Sequence, residues 1–177
     1  MRARKAVLFA AVATAAIGSA GVALGADANT AVAADQQPSL VEDFSYPGAD
    51  KILTDTGVKL ISGDGHILFA DCSTPRNGDI GLMRVRTTDA IGTNHDGLIC
   101  FQVKAIPGVL VLKIPAVYEI RGDGYAPGAG HKVKADLTTD AGAHSTVDVN
   151  PNGSTPVGVG ADPNNAPTTL LQLTAGS

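Results

Sequence analysis

Two cysteines, four histidines and a set of aspartates in glycine-rich turns are the residues of this chain best suited to chemistry. Cys72 and Cys100 allow one pairing. In an oxidising compartment two cysteines are expected to close a disulfide, and closing a loop of this length is worth roughly 3–4 kcal/mol in the chain-entropy model. The rival chemistry is a catalytic thiol. Only scattered histidines support it, and it would leave an odd cysteine in an exported protein. His66, His95, His131 and His144 raise the question of a metal. None has a partner at His-x-His or His-x-x-x-His spacing, and all four border turns, so no metal site or cofactor is expected.

Hydrolytic chemistry has equally little local support. No Gly-x-Ser-x-Gly elbow occurs. Glutamate occurs only at Glu42 and Glu119, so a glycosidase carboxylate pair would have to be built from aspartates. If a hydrolase site is assembled from distant loops, His66, Asp71 and His95 are its first candidates. Asp64, Asp96, Asp123, Asp148 and Asp162 offer oxygen ligands for Ca²⁺, but no spacing matches an EF-hand loop, and tight turns favour the same residues. Arg121-Gly-Asp123 is the tripeptide that integrins bind; here it opens a turn, and so short a match arises readily by chance. Asn152-Gly-Ser154 is a formal glycosylation acceptor. Tryptophan is absent, and Tyr46, Tyr118 and Tyr125 are too few for the aromatic platform of a sugar-binding face.

The elements that must position these residues begin after a leader. Arg2, Arg4 and Lys5 precede an apolar run from Ala6 to Leu24, followed by small residues between Ala26 and Ala34. This is the plan of a secretory signal peptide, with cleavage expected between residues 26 and 34 and one domain over 35–177. No second apolar run suggests a membrane anchor. Without the leader, 10 basic and 16 acidic residues remain, a net charge of −6, which disfavours a nucleic-acid partner.

Within the domain, 21 glycines and 10 prolines across the chain signal frequent turns, and Val, Thr, Asp and Gly dominate. Leu40–Phe44 is a short strand or packed arm, and Tyr46–Gly57 the one plausible helix, with Gly57 as its left-handed stop. Val58–Ser62 and His66–Cys72 flank Gly63-Asp-Gly65 as a hairpin would. Strands are expected over Ile80–Arg86 and Gly97–Val103. In the second, Ile99, Phe101 and Val103 share the core face and Cys100 lies on the other. That face places the disulfide as a clamp on a sheet end or outer face, holding the segment Ser73–Gly97. Gly108–Arg121 is too long for one flat strand and should bend at Pro115. Val133, Ala135 and Leu137 pair with Val147 and Val149 across a turn, and Thr168–Thr174 closes the chain with Leu171 and Leu173 inward. Eight or nine short strands with one short N-terminal helix predict an all-β, antiparallel β-sandwich.

Val41-Glu-Asp-Phe-Ser-Tyr-Pro-Gly-Ala-Asp-Lys-Ile-Leu53 and Lys59-Leu-Ile-Ser-Gly-Asp-Gly-His-Ile-Leu68 resemble a group of small secreted proteins from filamentous, high-GC Gram-positive bacteria. Ile99–Val103, Leu112–Tyr118, Thr155–Gly160 and Thr168–Leu173 fit the same group. The resemblance implies a secreted domain and carries over no activity and no catalytic residues. Protease inhibitors of similar size from such bacteria carry two disulfides, and this chain can form only one. The expected role is therefore a secreted, non-catalytic interaction or accessory domain with an unknown extracellular partner. A loop-assembled hydrolase and a protease inhibitor presenting Ser73–Asp79 or Thr87–Asp96 are the alternatives.

Overall fold

A computed structural model describes residues 44–176. The expected leader, its expected cleavage site and most of the Leu40–Phe44 segment lie outside them. The helix α1 (Ala49–Thr56) ends where expected: Gly57 is left-handed at φ 71° and donates its N–H to Leu53 O. A Cβ at Gly57 would stand 2.7 Å from Ile91 Cγ2, a second reason for glycine there. Nine strands follow: β1 Lys59–Gly63, β2 Ile67–Ala70, β3 Met83–Thr87, β4 Leu98–Val103, β5 Gly108–Arg121, β6 Lys132–Thr139, β7 His144–Val149, β8 Ser154–Pro156 and β9 Thr168–Gly176. All pairings are antiparallel, so the all-β expectation holds. The strands hydrogen-bond as one nine-stranded sheet in the order β2-β4-β3-β5-β9-β6-β7, with β1 and β8 also pairing β5.

β5 is the hub because it bends. Along its first half Leu110, Leu112 and Ile114 are fully buried, paired with β1 and β9. Pro115 then supplies no N–H, Ala116 turns to φ 51°, and the buried positions shift phase to Val117 and Ile120. Past this point the neighbours become β3 and β8. Carbonyls at the kink are satisfied by threonines of adjoining strands: Thr87 Oγ1 donates to Pro115 O at 2.6 Å and Thr168 Oγ1 to Val117 O at 2.9 Å.

The expected β1–β2 hairpin does not form as a ladder; β1 pairs with β5 and β2 with β4. Asp64 explains the difference. Its carboxylate accepts from the N–H groups of His66 and Val109, both at 2.9 Å, while its own N–H donates to Val109 O. The turn is thereby fastened to β5 rather than closed on itself. Lys104 N–H donates to His66 O and so extends the β2–β4 pairing by one bond beyond Ile67 and Val103. One core results, containing Ile67, Val85, Ile99, Phe101, Leu112, Leu137 and Leu173.

Two side-chain expectations need correction. Leu170, not Leu171, is buried beside Leu173, because a bulge opposite Asp136 and Leu137 inserts Leu171 as an extra residue. Tyr46, expected to remain on the surface, is buried and its hydroxyl accepts from Phe69 N–H at 2.8 Å.

Candidate functional site

Cys72 and Cys100 are joined in a disulfide. Ile99, Phe101 and Val103 face the core, and Cys100 lies on the other side of β4. Cys72 follows the end of β2, which already pairs with β4 through Ala70 and Cys100. The bond therefore clamps two neighbouring strands on the face of β4 turned away from that core, as their alternation implied, and Cys100 is itself fully buried there.

Register extends this face sideways. Cys100 stands opposite Arg84 of β3, Arg84 opposite Arg121 of β5, and Arg121 opposite Ser154 of β8. Residues opposed in an antiparallel ladder share a face, so two arginines lie side by side in the row that holds the disulfide. Two positions along the same pair of strands, Arg86 stands opposite Glu119 and pairs with it at 3.4 Å. The outer face of β3 and β5 thus carries one compensated charge pair and one like-charge pair.

The loop from Ser73 to Asp79 starts at the disulfide. Asp71 shapes its base by accepting from the hydroxyl of Ser73 at 2.7 Å and the N–H of Ser73 at 2.8 Å. These two donors hold the Asp71 carboxyl below its usual value of 3.8. Asn77 and Ile80 exchange backbone hydrogen bonds, and Ile80 bridges to Gly124. Held at both ends, the loop brings Arg76 over the ring of Tyr125, 5.2 Å from its centroid. Arg121 lies 5.4 Å from the same centroid, and Arg84 Nη2 donates to the Tyr125 hydroxyl at 3.1 Å. Gly81 lies beneath the ring: a Cβ there would fall 2.4 Å from Tyr125 Cε2. Three guanidiniums therefore gather on one tyrosine, none with a carboxylate at salt-bridge distance among the described residues. Arg84 Nε and Arg121 Nε are buried with no hydrogen-bond partner among them.

A second arrangement lies across the same loop. Asp123 is 1% exposed and accepts from the N–H of His131 at 2.8 Å, with its other oxygen 2.6 Å from His131 Nδ1. His131 lines a cleft of about 300 Å³ with Asn77, Ile80, Gln102 and Lys104. A buried carboxylate that fixes an imidazole ring is how proteins orient a general base. No Ser or Cys lines this cleft. Burial of Asp123 also withdraws Arg121-Gly-Asp123 from presentation to a receptor.

The expected hydrolase candidates are not brought together. His66 immediately precedes β2 with Nδ1 on Pro107 O, and Asp71 follows the strand's other end, about 16 Å away by strand rise. His95 sits in the loop before β4 with a left-handed backbone at φ 53°. His144 lies at the start of β7, on the sheet's far edge. The turn aspartates are dispersed: Asp96 accepts from Leu98 N–H, Asp148 pairs with Lys134 at 2.7 Å, and Asp162 accepts from Asn164 N–H. Among the described residues no three His, Cys, Asp or Glu side chains converge as metal ligands. Asn152 is exposed in the turn before β8, its amide donating to Ala126 O.

Sequence reasoning missed both the arginine cluster and the Asp123–His131 pair. A partial signal for the first was present, since Arg84 and Arg86 alternate with the buried Met83 and Val85 and had to face outward. No protein-family model matches this chain, and neither does any curated protein.

Proposed function

We propose that this protein is an exported, non-catalytic interaction or accessory domain that binds an extracellular partner through the disulfide-braced face of β3, β4 and β5. The observation that carries this reading is the convergence of Arg76, Arg84 and Arg121 on Tyr125, with positive charge left uncompensated on a rigid support. Arginine and tyrosine are the side chains most often found at the energetic centre of interfaces. Like charges directly opposed across a ladder are destabilising, so their placement suits a role outside folding. Export is supported by the secretory plan of residues 1–34, by the disulfide and by the resemblance to secreted bacterial proteins. No helix among the described residues is long and apolar enough to cross a membrane. The net charge of −6 after the leader argues against a nucleic-acid partner.

The test is capture of partners from culture supernatant by the immobilised mature protein. Reproducible capture of the same partner is expected, and failure to capture any contradicts the reading. The Asp123–His131 pair favours one second reading, a hydrolase in which His131 acts on water as general base, in place of His66, Asp71 and His95. Hydrolysis of ester or peptide substrates that disappears in His131→Ala would establish it. Inhibition is tested by incubating a molar excess of the protein with secreted proteases; undiminished proteolysis rules it out.

A further inference from the structure

We infer that Arg76, Arg84, Arg121 and the Tyr125 hydroxyl form a binding site for one compact oxyanion, a carboxylate, sulfate or phosphate group. The inference rests on the proposed binding face and names the chemistry of what it binds. A guanidinium offers five N–H donors in a planar fork suited to two oxygens of one anion. Among the described residues only one hydrogen bond from these three side chains reaches a protein acceptor, Arg84 Nη2 to the Tyr125 hydroxyl. That bond uses a lone pair of the hydroxyl and leaves its O–H to donate. Arg84 and Arg121 are held side by side by the β3–β5 register, and Arg76 is delivered by the loop whose base is the disulfide. Burial of Nε on Arg84 and Arg121 weakens solvent screening of both charges. The neighbouring Arg86–Glu119 pair shows the compensated alternative that the same two strands accommodate. A polyanion is disfavoured, because the surrounding domain has a net charge of −6.

Arginine Nε–H resonances provide the readout. The mature protein is titrated at constant ionic strength with sodium acetate, sulfate or phosphate, with chloride as reference and polyphosphate as the polyanion arm. Saturable shifts of the Arg84 and Arg121 signals are expected with at least one compact oxyanion, without comparable shifts at Arg86. Which salt saturates at the lowest concentration identifies the group. Arg121→Glu places a carboxylate opposite Arg84, as Glu119 stands opposite Arg86, and should weaken binding at least tenfold without lowering the unfolding temperature. Arg76→Gln, on an exposed loop residue, gives a second variant that leaves the sheet intact and should also weaken binding. No shift with any compact oxyanion, equal shifts at Arg86, tighter binding of polyphosphate, or undiminished binding by both variants would overturn the inference. If these titrations fail while a partner is still captured, the oxyanion site alone is refuted. If they succeed while nothing is captured, the interaction reading falls and the site stands.

Discussion

Replacing both cysteines by alanine should cost the fold stability without costing it the fold. The two residues are 28 positions apart, and chain-entropy arithmetic for a closed loop of that size gives about 3.6 kcal/mol at 25 °C. A folded body of roughly 135 residues has an unfolding entropy near 0.28 kcal/mol/K, so the unfolding temperature should fall by about 13 °C. The central apolar cluster contains neither cysteine, so β3, β4 and β5 should retain their core. The local effect should be confined to the loop from Ser73 to Asp79, which carries Arg76. Thermal unfolding by circular dichroism measures the first effect and amide hydrogen exchange the second. Exchange should quicken across 73–79 while Ile99, Phe101 and Val103 remain protected. A fall of less than about 4 °C, or loss of protection throughout β4, would refute the view that this bond is a clamp apart from the central cluster that constrains the unfolded chain.

Three further outcomes follow from the packing. Phe101→Ala removes a fully buried ring that meets Phe69 edge-on at 6.2 Å, and should cost about 3–5 kcal/mol in urea unfolding. Asp123→Ala leaves the partly buried His131 N–H without its acceptor and should cost about 1–3 kcal/mol, measured the same way. The Asp71 carboxyl should titrate by NMR below 3.8, and Ser73→Ala should return it toward that value. A folded-state value below the unfolded one means that the stability Asp71 contributes is fully present above 3.8 and is lost as pH falls through the lowered value.

Features fixed by local chemistry were legible in the sequence. The Gly57 stop, the odd-numbered core face of β4, the placing of Cys100 on the opposite face and the bend at Pro115 follow from a residue's own backbone limits or from period-two alternation. Features fixed by long-range register were not. Asp64 diverts β1 to β5 through a bond to Val109, 45 positions away, and no property of the Gly63–Gly65 turn announces that partner. Arg84 and Arg121 become neighbours only because β3 pairs with β5, across the whole of β4. Strict alternation places Leu171 inward and has no way to foresee a bulge. Histidine spacing pointed to no metal and to no partner of any kind, because the one histidine held by a buried acid, His131, has that acid eight positions upstream in a turn.

The binding face is tested most directly by comparing capture from culture supernatant by the wild-type protein, by Arg121→Glu and by Arg86→Gln. The partner captured by the wild type should be retained by Arg86→Gln and lost with Arg121→Glu, while all three proteins unfold at similar or, for Arg121→Glu, slightly higher temperature. Retention of the same partner by folded Arg121→Glu would contradict the assignment of this face.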